Sequence, residues 1–367
     1  MKVQVEQMER NDDFPNDQAR RWAIAKIVQM GLFFTLDPEL EITFPPKTPN
    51  TIKKQRRMLI DTQDYEARLR DYWDNGVNDT LEEAMEDITE RIYNLHDNVL
   101  YVGRGQKRKM RRMLCGYNIV AAQVTEEQKE YRSSQTYLDR AIILARESRY
   151  ADLHATALHR RQVSALDQGR FEAALLDYKA TCNLKVIPPQ LRGKILTAAG
   201  ETKAHLARQQ AEIDEALKLQ NKAESMIGKD NLIDFGYLVS FDEERFLLDK
   251  GATYMASPVK KLRSPDKALK CLPQISTELD LSRWQAYRQA FNHIIQARIH
   301  IDQGLYPVAT VLAEDALSLL ERLNSKVHLN ELAEICETLK QSPYGNSTDV
   351  AMLEIGIMRN LRPEMFN

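Results

Sequence analysis

The turn sequence Asp-Gln-Gly-Arg-Phe at Asp167–Phe171 recurs as Asp-Gln-Gly-Leu-Tyr at Asp302–Tyr306. Each copy lies between two Ala-rich stretches whose composition favours helix. The pair therefore predicts two copies of one helix-turn-helix unit. A chain built from such units is a solenoid, and solenoids commonly work by offering a long concave surface to a partner.

The residues after each turn follow the tetratricopeptide spacing, in which small side chains let paired helices approach closely. A turn Gly is followed two residues later by an aromatic residue, five later by Ala, and twelve later by a second Ala. Gly304, Tyr306, Ala309 and Ala316 fit every position. The other copy fits at Gly169, Phe171 and Ala174, with Thr181 at the last position.

Weaker copies extend this pattern along the chain. They are marked by Tyr131, Ser134 and Ala141, by Ala216 and Ala223, and by Ala268 after a Pro-containing insertion. The second helices then open at Ser134, Ala174, Ala216, Ala268 and Ala309, roughly forty or more residues apart and longer than a standard unit. We predict an all-α, tetratricopeptide-like solenoid of helical hairpins wound as a right-handed superhelix.

Composition agrees with a folded helical protein. The 367 residues are 43% hydrophobic and 28% charged, with 14 Gly and 13 Pro, so a solvated outside can cover an apolar core. The net charge of −2 provides no overall attraction to nucleic acid or to an anionic membrane. Four scattered cysteines, no signal peptide and no apolar run of membrane-spanning length favour a reducing cytoplasmic location.

The chain divides into four predicted segments. Residues 1–15 form a disordered tail, and residues 16–60 hold one helix and a Pro-rich linker that ends in the basic stretch Lys53–Arg57. Residues 61–103 form a helical hairpin that caps the array, with a capping box predicted at Thr80–Glu83. Residues 104–367 form the repeat array with its own C-terminal capping helix.

Several stretches resemble a family of bacterial transcription regulators that join an N-terminal helix-turn-helix DNA-binding domain to a C-terminal tetratricopeptide sensory domain. The matching stretches are Arg20–Ala25, Tyr65–Trp73, Gln106–Lys109, Ala157–Arg161 leading into Asp167–Phe171, and Pro188–Gly193. The resemblance implies a sensory array that binds a signalling peptide or a protein segment. DNA would be contacted only through the DNA-binding domain, for which no room is expected before Ala19.

The resemblance leaves two other functions open. Some relatives inhibit or dephosphorylate response-regulator proteins, and here Gln123, Glu127 or Gln128 could orient a water molecule. A constitutive assembly scaffold is the third reading, in which Ala351, Leu353, Ile355 and Ile357 cap the last repeat or form a homodimer. Membrane binding is not expected. The ligand, the direction of regulation and the oligomeric state are left open.

Ligand-binding residues are expected on the first helix of each pair, upstream of the turns. Polar side chains there would hold a peptide backbone, and apolar neighbours would accept its side chains. Taken singly, each is more often a packing residue. The candidates are Asn118, Thr156, His159, Val163, Phe291, Asn292, Ile294, Arg298 and Ile301.

Other motifs predict no catalysis. The basic run from Arg104 to Arg112 lacks stacking aromatics, so a solvated helix face is favoured over a phosphate contact. The seven histidines do not have the spacing of a zinc-protease helix. No nucleophile elbow or phosphate-binding Gly loop is present. We therefore expect a non-catalytic protein without a metal or another cofactor.

Overall fold

The computed structural model describes residues 61–74, 81–229, 241–274, 281–323, 325–362 and 365–366. All of them belong to the second of two compact units, whose boundary falls between Leu59 and Ile60. The predicted tail, N-terminal helix, Pro-rich linker, basic stretch Lys53–Arg57 and Thr80 lie outside the described residues, as does the matching stretch Arg20–Ala25.

The described residues are all-α, as expected, with fourteen α-helices, one short 3-10 helix at Lys260–Leu262, and no strand. The first two helices are α1 (Thr62–Asp74) and α2 (Leu81–Val99). Six first helices of hairpins follow: α3 (Arg104–Glu127), α5 (Ala151–Asp167), α7 (Pro189–Leu206), α9 (Glu243–Met255), α11 (Arg283–Asp302) and α13 (Leu329–Lys340). Their partners are α4 (Tyr131–Ser148), α6 (Phe171–Cys182), α8 (Gln210–Glu224), α10 (Pro265–Cys271), α12 (Tyr306–Leu323) and α14 (Thr348–Leu361).

The repeated turns end the first helices in a left-handed conformation. Gly169 has φ 68° and Gly304 has φ 79°, values that cost glycine little because it has no Cβ. After Gly169, the Arg170 amide donates to the Ala165 carbonyl at 2.8 Å. This is the Schellman arrangement, which satisfies carbonyls that a helix end would otherwise leave open.

A third copy of this turn lies between α3 and α4 and carries Lys129 where the other two carry Gly. Lys129 has φ 62°, and the next amide, Glu130, donates to the Thr125 carbonyl at 2.8 Å. The sequence Glu-Gln-Lys-Glu-Tyr at Glu127–Tyr131 is thus a degenerate form of Asp-Gln-Gly-Arg-Phe.

Small residues allow the close approach of paired helices. The five residues predicted to open the second helices, Ser134, Ala174, Ala216, Ala268 and Ala309, are all 0% exposed. A larger side chain at such a position would separate the two helices of a hairpin.

The hairpins are arranged in two layers. The first helices α3, α5, α7, α9, α11 and α13 pack on one another in succession, and each also packs on its own partner helix. Helices α1 and α2 pack on α3. At the other end, Leu353 and Ile357 of α14 are buried in the last apolar cluster, whereas Ala351 and Ile355 are exposed.

Contacts between the two ends of the array close the inner layer on itself. The Lys326 amide donates to the Glu127 carbonyl at 3.2 Å, and Lys129 Nζ donates to Asn330 Oδ1 at 2.7 Å. Arg283 also forms an ion pair with Glu127 at 3.7 Å. The α3–α4 turn therefore touches α11 and the segment before α13, and the first helices surround a hollow.

No helix within the described ranges is both long and apolar enough to cross a membrane. Of the four cysteines, all free, Cys115 and Cys336 are buried, Cys271 is half-buried and Cys182 is exposed.

Candidate functional site

The hollow is the candidate site. Its volume is about 470 Å³, within the usual range for small-molecule and peptide pockets. All six first helices contribute to its lining. The principal lining residues are Glu126, His159, Arg160, Val163, Asp167, Lys194, Glu201, Arg245, Asp249, Tyr287, Arg288, Phe291, His328 and Glu331.

Cations gather in one part of the hollow. Arg160, Arg245 and Arg288 all repel Lys194 there. Burial and the charges of Arg245 and Arg160 hold the pKa of Lys194 well below its usual value. His159 lies among them, and burial next to Lys194 holds its pKa well below the ordinary value, so its imidazole is neutral.

Two of these cations have carboxylate partners. Arg245 forms an ion pair with Asp249 at 3.0 Å. Arg288 forms ion pairs with Asp242 at 2.6 Å and with Glu244 at 2.7 Å. Direct pairing of this kind offsets part of the cost of placing a guanidinium in an enclosed space.

Carboxyl groups gather in another part of the hollow. Burial, reinforced by Asp249 and Glu331, raises the pKa of Glu201 well above its usual value. Asp167 is open to the hollow but surrounded by protein, and this enclosure, together with Glu126, raises its pKa to about 7. Glu331 behaves differently: although desolvation opposes ionisation, Arg298 and His328 lower its pKa to about 2.

Three ring side chains packed against one another also line the hollow. His328 stacks on Phe291 with ring centroids 5.0 Å apart and contacts Tyr287 at 5.3 Å. His328 Nδ1 also lies 2.7 Å from a Glu331 carboxylate oxygen, which orients the ring. Val163 and Leu166 add aliphatic surface, so the hollow offers apolar contacts beside its charges.

Three of the predicted ligand residues, His159, Val163 and Phe291, line the hollow. The other six do not appear in its lining. Thr156 is buried and donates to the Asp152 carbonyl at 2.9 Å. Asn118 is buried and donates to the Leu114 carbonyl at 2.6 Å. Both side chains thus donate to backbone carbonyls of their own helices.

Apart from Phe291, the predicted residues on α11 lie off the face that lines the hollow. Ile294 is 0% exposed and packs in the apolar core, as does the partly buried Ile301. Asn292 donates to the Pro273 carbonyl at 2.9 Å. Arg298 does not line the hollow and forms an ion pair with Glu331 at 3.1 Å. The face that lines the hollow is Trp284, Tyr287, Arg288 and Phe291.

The sequence prediction missed the contributions of α7 and α9. Lys194, Thr197, Ala198 and Glu201 follow one helical face at spacings of three, one and three residues. The signal was a Lys and a Glu two turns apart in an otherwise Ala- and Leu-rich helix. Inward-facing positions were estimated mainly for the two first helices that a repeated Gly turn follows, so none was named on α7 or α9.

The structure also shows the contacts of the phosphatase candidates and of the basic run from Arg104 to Arg112. Gln123 and Glu127, named as phosphatase candidates, line the hollow, and Gln123 accepts a hydrogen bond from Arg160. Gln128 does not line it. In the basic run, Lys109 pairs with Glu66 at 3.0 Å and Arg112 with Asp152 at 3.6 Å, so part of this run joins neighbouring helices.

Comparison with models of known protein families, with curated proteins and with solved structures finds no match to this chain.

Proposed function

We propose that this chain is a tetratricopeptide-like, non-catalytic sensory array that encloses a short peptide, or the end of a longer one, within its hollow. The observation that carries the proposal is that charged side chains from all six first helices converge on this one hollow. By the resemblance noted above, such an array would be the effector part of a transcription regulator.

The charged lining of the hollow favours a role in binding over a role in stability alone. An enclosed group without a close partner costs stability when it ionises, and groups with strongly shifted pKa values concentrate at functional sites. Lys194, Asp167 and Glu201 are of this kind. A core required only for stability would be better served by apolar residues at these three positions.

A ligand enclosed by several first helices could change the arrangement of the whole array. In a repeat array each hairpin touches its neighbours, so small rotations add along the chain. A ligand that contacts several first helices at once would favour the closed arrangement, in which Lys326 meets Glu127. The array would then differ between its free and bound states most strongly at this contact.

The alternative of a response-regulator phosphatase is less well supported by the hollow. A folded domain needs about 800 Å² of surface on each partner, and a space of about 470 Å³ cannot admit one. Gln123 and Glu127, which face this space, would be out of its reach. An assembly scaffold would use the outer layer and gives no reason for the charges inside.

The proposal is tested by filling the hollow. Val163→Trp places an indole among the lining residues, and Val311→Trp places the same group on the outside of α12, where the native side chain is 56% exposed. Synthetic peptide pools of about three to eight residues are added in a thermal-shift assay. Peptides should raise the unfolding temperature of wild type and Val311→Trp but leave Val163→Trp unchanged. The proposal fails if no pool stabilises wild type, or if Val163→Trp responds equally.

A further inference from the structure

Two cations in the hollow have no carboxylate partner within the described part of the chain. Lys194 Nζ forms no hydrogen bond or ion pair there, although Asp249 acts on it at longer range. Arg160 donates to the neutral amide of Gln123, and the Glu126 carboxyl acts on it without a direct hydrogen bond or ion pair. Their side chains come from adjacent first helices, α5 and α7, which pack on each other.

Two carboxyl groups on the same helices also lack a direct partner within the described part of the chain. Asp167 on α5 and Glu201 on α7 have no hydrogen bond or ion pair among the described residues. Each lies seven residues after its helix's unpaired cation, Arg160 or Lys194. Seven residues are close to two helical turns, so each carboxyl shares a face with the cation about 10 Å away.

The two helices therefore repeat one arrangement, with a cation first and a carboxyl two turns later. Arg245 and Arg160 are the charges that act most strongly on Lys194, whereas Asp249, Glu331 and Asp167 act most strongly on Glu201. The hollow thus has a cationic end and an acidic end.

His159 also lies at the cationic end. It is 8% exposed and lines the hollow, while its buried side chain interacts with that of Gln162 on the same helix. Burial beside Lys194 keeps its pKa low, so this imidazole adds no positive charge next to the two cations. The attraction for an anion at this end therefore comes from Arg160 and Lys194.

We propose that the hollow binds a zwitterionic peptide of about three residues, with its C-terminal carboxylate at Arg160 and Lys194 and its N-terminal ammonium at Asp167 and Glu201. An extended chain spans about 3.3–3.6 Å per residue, so three residues bridge the distance of about 10 Å between the two ends. This inference rests on the proposed function and specifies its ligand class.

The remaining wall suits the side chains of such a peptide. Val163, Leu166 and Phe291 lie in the lining beside the charged ends, and they would contact apolar side chains in the middle of the ligand. Because both charged groups of the ligand meet opposite charges, binding would give each of the four unpaired groups a partner of opposite charge.

Isothermal titration calorimetry with trialanine and trileucine tests the charge requirement. Each is compared with its N-acetylated form, its C-terminal amide, and the di- and pentapeptides of the same residue. The free tripeptides should bind best, and blocking either end should weaken binding about tenfold or more, the value of one hydrogen bond to a charged group. Absence of saturable binding by both tripeptides, or equal binding of blocked and free forms, overturns the proposal.

Charge-removing variants locate the two ends. Lys194→Met should weaken the free tripeptide about tenfold but have little effect on its amide. Glu201→Gln should weaken the free tripeptide but not its N-acetyl form. Lys203→Met is the matched control, since Lys203 lies on the same helix and pairs with Glu215 at 2.8 Å outside the hollow; it should bind like wild type. Equal losses for blocked and free peptides in Lys194→Met contradict the assignment.

Both variants remove an unpaired, enclosed charge, so neither should lower the unfolding temperature, and this checks that they fold. The test also separates this inference from the function it rests on. Stabilisation of wild type, but not of Val163→Trp, by longer or end-blocked peptides alone would retain the array as a peptide sensor and reject the zwitterionic tripeptide. Failure of every peptide would reject both.

Discussion

At the scale of single residues, equivalent positions of the repeat have different surroundings. Asp167 and Asp302 occupy the same place in the two turn sequences. The Asp302 side chain is 6% exposed, and its two carboxylate oxygens accept from Arg263 Nη1 at 3.1 Å each. Asp167 has no such partner and is open to the hollow, where enclosure raises its pKa to about 7. The same residue type thus forms a structural ion pair in one copy of the turn and lines the hollow in the other.

The raised pKa of Asp167 predicts a pH-dependent gain in stability for Asp167→Asn. The folded state binds this proton more tightly than the unfolded state, whose Asp pKa is about 3.9, so the residue lowers stability as pH rises from about 4 through about 7. The variant should therefore unfold at a higher temperature than wild type at about pH 8, and the difference should vanish near pH 4. Thermal unfolding followed by circular dichroism across this range measures it.

Asp302→Asn is the matched control. It loses half of a charge-assisted pair with Arg263, so it should lower the unfolding temperature at about pH 8, the opposite sign. A stabilising effect of Asp167→Asn that stayed constant from pH 4 to about pH 8 would contradict the role given to its carboxyl.

At the scale of elements, α7 is the helix whose packing depends most on the absence of a side chain. Building a Cβ on Gly193 would bring it 2.4 Å from the Phe241 ring, which is 1% exposed. Further along the same helix, a Cβ on Gly200 would lie 3.0 Å from the Ala216 carbonyl oxygen of α8. These close approaches hold α7 in place, and with it Lys194 and Glu201.

Gly193→Ala should therefore destabilise the protein by about 1–3 kcal/mol, the usual cost of overpacking a filled core. The same substitution at Gly105, in the first turn of α3, meets no atom within 4 Å. It should stabilise by up to about 1 kcal/mol, because Ala favours helix over Gly. Chemical denaturation measures both changes. Effects of the same sign would show that helix propensity, and not contact with Phe241, decides the outcome at Gly193.

At the scale of the whole described unit, closure converts a row of hairpins into an enclosure. Three contacts join its ends: the Lys326 amide with the Glu127 carbonyl, Lys129 with Asn330, and Arg283 with Glu127. Burial and repulsion by Lys326 lower the pKa of Lys129 to about 8. The closing contact therefore includes a lysine whose charge its surroundings disfavour.

The double variant Lys129→Ala with Arg283→Gln should weaken closure. Each polar contact at the surface contributes roughly 0.2–1 kcal/mol, enough together to shift a balanced equilibrium between open and closed arrangements. Amide exchange of Lys326, measured by mass spectrometry, should become faster, and the radius of gyration from small-angle scattering should rise. Lys203→Ala, which breaks a surface ion pair within one hairpin, should change neither. Unaltered exchange in the double variant would show that closure does not depend on these side chains.

The helical hairpins could be predicted from the sequence because their causes are local. Gly169 and Gly304 adopt φ values that few other residues adopt cheaply, and the small residues at Ser134, Ala174, Ala216, Ala268 and Ala309 are fully buried. Both signals depend on neighbours within one hairpin. On α5 the same alignment correctly placed His159 and Val163 toward the hollow.

The remaining features were decided by tertiary structure. Which face of α11 lines the hollow depends on the rotation accumulated over the preceding hairpins, so the candidates Ile294 and Arg298 were placed wrongly while Tyr287 and Arg288 were missed. The closure between Lys129 and Asn330 joins residues 201 positions apart, and no local pattern encodes such a contact. The sequence by itself thus determined the hairpins. Only the packing of all the hairpins together determined that the first helices surround a hollow. It also determined that this hollow is lined by Arg160, Lys194, Asp167 and Glu201. The physical reason is that the position of each helix is set by every helix it packs against.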